Sequence, residues 1–114
     1  MTLSEIQDIA VPAVKACAEA ANHPRQKELR ERLYETLRPV ANLASVDDAT
    51  YPADFLHLLR QTALWADIVR CRIENSRNRV VSTPVASIQH PARDLQQLLD
   101  RLVDRLNGTV PSAS

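Results

Sequence analysis

The chain has 114 residues, a formal net charge of zero, and 45% hydrophobic against 25% charged residues. That balance describes one globular domain able to bury a core without disulfide or metal staples. Its one glycine, Gly108, argues against most nucleotide-dependent enzymes, because a Walker loop or a dinucleotide fingerprint needs glycines to bring backbone amides against phosphate.

In chain order the pattern is helical. Thr2-Leu3-Ser4-Glu5 has the form of a capping box, in which the threonine hydroxyl and the glutamate carboxylate each satisfy an orphan amide of the first turn. Ile6, Ile9, Ala10, Ala13, Val14 and Cys17 then recur at helical spacing. Pro12 interrupts, lacking an amide hydrogen and clashing with the preceding turn. The expectation is a kink there, or a break into a short first piece and a longer second one ending near Asn22. Glu5 and Asp8 precede the apolar part, which is wrong for a secretory signal. No apolar run nears the roughly 18 residues that span a bilayer. A cytoplasmic protein without membrane contact is therefore expected.

The stretch HPRQKELRERLYETLRPV predicts a second helix starting at Pro24, since proline tolerates the first helical position. Leu29, Leu33, Leu37 and Val40 mark its apolar face, with Tyr34 and Thr36 beside it. Pro39 is expected to bend or end it, with a last turn over Ala41 to Ala44, and SVDDATYP reads as a polar connector. A long third helix is predicted from about Pro52. Phe55, Leu58, Leu59, Thr62, Ala66, Val69, Ile73 and Val80 share one face at about 100° per residue, which carries the helix to about Arg79. Stopping at Asn75 would leave a loop of roughly 15 residues, long for a compact domain. RVVSTPVASIQ reads as a crossover packed over the bundle end, or as a segment presenting valines to a partner. HPARDLQQLLDRLVDRLNG predicts a last helix from Pro91, with Leu95, Leu99, Leu102 and Leu106 inward and Gly108 as its C-cap. Residues 109–114 form a frayed tail.

Within RCRIENSRNR, four arginines occupy ten positions. Arg70 and Arg77 fall within about 20° of each other on one border of the third helix's stripe, and Arg72 and Arg79 within about 20° on the other. They bracket an apolar seam instead of forming one basic face, as flanking residues do in helix packing. Asp94, Asp100 and Asp104, or Glu28, Glu31 and Glu35, are the carboxylates expected to meet them. A seam around Val69, Ile73 and Val80 that projects past shorter helices would mark association.

The chemistry-bearing residues each have a simpler explanation. Asp54 with His57, and Glu19 with His23, could share helix faces as metal ligands, yet no Glu-x-x-His pair of the di-iron kind occurs. Glu28, Glu31 and Glu35 resemble the acidic helices of all-α nucleotide pyrophosphohydrolases, which implies magnesium-dependent nucleotide hydrolysis. Arg25, Lys27, Arg30 and Arg32 interleave with them, so surface ion pairs account for the same residues. Cys17 and Cys71 lack CxxC spacing and read as reduced, packed thiols.

The expectation is thus an all-α, up-and-down bundle of four main helices, one domain over residues 1–108, with no cofactor, metal or catalytic residue. The expected function is that of a non-catalytic interaction protein: an adaptor, regulator or inhibitor. Its partner-binding residues would be Arg70, Arg72, Ile73, Arg77, Arg79 and Val80, and its partner an acidic-rimmed protein groove or a second copy in a homodimer. The second reading is a nucleic-acid-associated subunit placing the four arginines on phosphates, disfavoured by zero net charge and 4% aromatic residues. The third is the small helical hydrolase.

Overall fold

The computed structural model describes residues 2–23, 25–47, 49–78 and 86–108. The first helix, α1 (Leu3–Asn22), opens on the expected capping box. The Glu5 amide donates to Thr2 Oγ1 at 3.2 Å and the Thr2 amide to Glu5 Oε2 at 3.1 Å. The helix runs unbroken through Pro12, so the expected break does not occur. Pro12 sits on the exposed side, while Ile6, Ala10, Ala13, Cys17, Ala20 and Ala21 are buried on both sides of it in sequence. Burial of a stripe that spans the proline keeps the helix continuous there, because tertiary packing supplies most helical stability.

After α1 the Gln26 amide donates to the His23 carbonyl at 3.1 Å. Helix α2 (Lys27–Ala41) starts at Lys27, with Gln26 as N-cap, and not at Pro24. It continues through Pro39 and passes into a 3-10 turn, Asn42–Ser45, the expected last turn. Leu43 of that turn is fully buried, and Ser45 Oγ donates to the Asn42 carbonyl at 2.8 Å.

Helix α3 (Ala53–Asn78) has 26 residues, about 39 Å of rise, and reaches the length its stripe predicts. Phe55, Leu59, Ala63, Ala66, Val69 and Ile73 are buried along it. Thr62 lies among them fully buried, and its hydroxyl donates to the Leu58 carbonyl at 2.7 Å. The helix itself thus satisfies this buried hydroxyl. Helix α4 (Ala86–Gly108) begins five residues before Pro91 and contains it. Ile88 is buried, and Gln89 Nε2 donates to the Ala21 carbonyl of α1 at 3.0 Å. These tertiary anchors carry the helix upstream of the proline. Gly108 is its last residue and has no positive φ, so the expected left-handed cap is absent. Residues 109–114, the expected tail, lie outside the described residues.

Each helix packs against its sequence neighbours, and α4 closes on α1. Consecutive helices are antiparallel, as cross-helix contacts require. Arg32 of α2 meets Glu19 near the end of α1 at 3.4 Å, and Arg105 near the end of α4 meets Asp54 at the start of α3 at 2.7 Å. Gln7 and Asn107 meet at 3.4 Å across α1 and α4. The outcome is the expected up-and-down bundle, with Leu33, Leu37, Leu59, Leu95, Leu99 and Leu102 converging on its axis. The inner face of α1 is mostly alanine.

Candidate interaction surface on the third helix

Arg70 lies on the side of α3 that meets α2. Its guanidinium carbon stands 4.6 Å from the centroid of the Tyr34 ring, a cation–π distance worth about 0.5–2 kcal/mol depending on desolvation. The side chain is half-buried, and its Nε is fully covered without a hydrogen-bond partner. Arg70 is therefore held within the chain by stacking and stem packing. Arg72 is exposed and points about 160° away from Arg70 around the helix, so these two arginines do not pool on one face.

Ile73, expected in a partner-binding seam, is only 1% exposed and belongs to the core together with Val69. The seam closes inside the bundle because α2 and α4 both pack against α3 along it. Arg77 lies within α3, but its side chain, Arg79 and Val80 fall outside the described residues.

The surface that α3 does offer is on its opposite side. Leu64 is 59% exposed, and Ile68 one turn on is half-buried. Arg72 continues the row another turn on. Gln61 and Asn75 are exposed nearby. The sequence carried this signal, since Leu64 and Ile68 stand four apart and outside the main stripe.

The ion pairs of the described residues join other side chains, and those of Arg77 and Arg79, which the expected pairs need, lie outside the described residues. Besides Arg32–Glu19 and Arg105–Asp54, Arg60 pairs loosely with Asp47 at 3.8 Å. The Arg105 pair is the tightest. Its hydrogen bond, then its charge, hold the Asp54 carboxyl below the usual carboxylate range and raise the Arg105 guanidinium in return. Among the described residues Asp100 and Asp104 form no ion pair. Glu19 and Asp54, the carboxylates of the two possible histidine pairs, are both engaged by arginine.

Among the described residues no three His, Cys, Asp or Glu side chains gather closely enough to hold a metal ion. Glu28 and Glu35 are exposed, and Glu31 is half-buried beside Lys27, Arg30 and Ser76. Cys17 is fully buried, and burial, then the nearby Asp100 charge, push its thiol up to about 12. Such a thiol is no nucleophile at neutral pH. Cys71 is exposed.

These observations define an all-α four-helix bundle, with no helix among the described residues long and apolar enough to cross a membrane. No protein-family model, curated protein or solved structure matches this chain. The fold class alone implies no activity, since bundles host unrelated functions.

Proposed function

We propose that the chain is a non-catalytic protein–protein interaction module, an adaptor, regulator or inhibitor, that presents the outer face of α3 to a partner. The observation that carries this reading is Leu64, a leucine 59% exposed on the side of α3 turned away from the core. With Ile68 and Arg72 it forms a row at i, i+4 and i+8. Two apolar anchors followed by a cation suit an apolar groove with a carboxylate at one end, the helix-in-groove mode of recognition. Arg72 thus keeps its expected role, while Leu64 and Ile68 replace Ile73 as the apolar element.

Two variants test the reading, Leu64→Asp and Arg72→Glu, each made at an exposed position and checked for unchanged helicity. Affinity capture from the native host, followed by mass spectrometry, should return a protein that the wild type holds and both variants lose. If the wild type and Leu64→Asp capture the same proteins in the same amounts, the outer face of α3 is not the docking surface.

A further inference from the structure

Val11, 48% exposed on α1, is a second large apolar side chain left in solvent. It sits with Val14 and Val103 in a groove of roughly 200 Å³ between α1 and α4, bordered by Lys15 on one helix and by Asp100 and Asp104 on the other. Small-molecule pockets commonly span about 300–1,000 Å³, so this groove is too small for most ligands. It suits a ridge of side chains from another protein surface.

Two features indicate what that surface is. Along α1, Gln7, Val11, Val14 and Ala18 follow a 4-3-4 spacing, a seam on the border of the stripe that enters the core, against which Val14 is packed. Gln7 is already drawn towards α4 by its contact with Asn107. The charges beside the seam are of opposite sign on its two borders, and among the described residues Lys15, Asp100 and Asp104 make no hydrogen bond or ion pair with each other or with any other side chain.

We propose that this face binds a second copy of the chain, related by a two-fold axis running along the groove. Such an axis lays α1 of one copy over α4 of the other. Lys15 then faces Asp100 and Asp104 of the second copy, the same pairs recur by symmetry, and valines meet valines across the middle. A closed two-fold dimer requires such a self-complementary patch. The surface differs from the outer face of α3, so either proposal can fail without the other.

The test is light scattering over a dilution series. Wild type should pass from dimer to monomer on dilution, while Val11→Asp and Lys15→Glu should each weaken dimerisation by at least about tenfold, the effect of roughly 1.4 kcal/mol. The double variant Asp100→Lys/Asp104→Lys should also be monomeric alone. Mixed with Lys15→Glu it should form a one-to-one dimer, because every reversed charge then meets its opposite. Circular dichroism on each variant separates loss of the interface from loss of fold. A wild type that stays monomeric at the highest concentration reached overturns the proposal. So does a wild-type dimer that none of these substitutions weakens, or two folded monomeric variants that fail to associate when mixed.

Discussion

Replacing Pro12 by alanine should stabilise the protein by about 2 kcal/mol. Pro12 lies in the interior of an unbroken 20-residue helix, where it offers no amide to the Asp8 carbonyl one turn earlier. Interior proline is about 3 kcal/mol less favourable than alanine in a helix. Alanine also frees the unfolded chain, which takes back about 0.4–1 kcal/mol. Because Pro12 is exposed, no core contact is lost in exchange. Unfolding entropy near 2.1 cal/mol/K per residue gives about 0.24 kcal/mol/K for 114 residues, so Tm should rise by about 8 °C. Urea melts would report the same gain as a shifted midpoint at unchanged slope. A lower Tm for Pro12→Ala would show that the proline imposes a bend the packing needs, and the account of α1 as one helix held by burial would be wrong. Pro91 supplies the contrast, since it is buried. Its replacement adds an amide but removes packed ring atoms, so the gain should be smaller or reversed.

At Arg70, methionine should be tolerated within about 1 kcal/mol, because it keeps the stem and removes the covered Nε that lacks a partner. Alanine there should cost about 1–2 kcal/mol through loss of the Tyr34 stacking and the stem contacts; chemical denaturation distinguishes the two. For the Asp54–Arg105 pair, the folded-state carboxyl lies below its ordinary value, so its contribution is present above the unfolded pKa and is lost as pH falls through the folded one. Wild type and Asp54→Asn should therefore differ most at neutral pH and converge in strong acid, while a gap that widened towards acid would contradict the sign. Arg105 is shifted upward, so its part persists through the neutral range. Under native conditions an alkylating reagent should label Cys71 alone, and denaturant should expose Cys17 as well, since burial holds that thiol at about 12. Rapid native labelling of both, read by mass spectrometry, would show that α1 and α4 separate readily.

Local signals were the readable ones. The Thr2–Glu5 capping box involves residues three apart and needs no tertiary partner. The reach of α3 was legible because Phe55 to Ile73 hold one face for five turns. At Pro12 the helix continues where a break was one of the two outcomes expected, and at Pro91 it starts five residues earlier than expected; proline's preference is local, and distant contacts weigh against it. The bond from Gln89 to the Ala21 carbonyl joins residues 68 apart, and nothing near Pro91 announces it. At the candidate surface the divergence of Arg70 and Arg72 followed from helical geometry. Which border of the stripe faces a neighbouring helix did not. The docking of α2 puts Tyr34 under Arg70, and the docking of α2 and α4 covers Ile73. The same periodicity describes a seam facing a partner and a seam facing the chain's own core.

That ambiguity also explains why the two large apolar residues exposed among the described residues are informative. Leu64 and Val11 are exposed on helices whose main apolar stripes are buried in the core. They also lie on different faces. In a bundle where each helix packs against its sequence neighbours and α4 closes on α1, α3 sits diagonally across from α1. A dimer formed through α1 and α4 therefore leaves both outer faces of α3 uncovered, one on each copy and pointing apart. Two identical docking rows on one particle gain avidity only where a partner presents repeated sites. On an immobilised partner at high density, Val11→Asp should speed dissociation although it leaves the Leu64 row untouched. On the same partner at low density it should have no effect, and an equal loss under both conditions would mean that Val11 belongs to the docking surface itself.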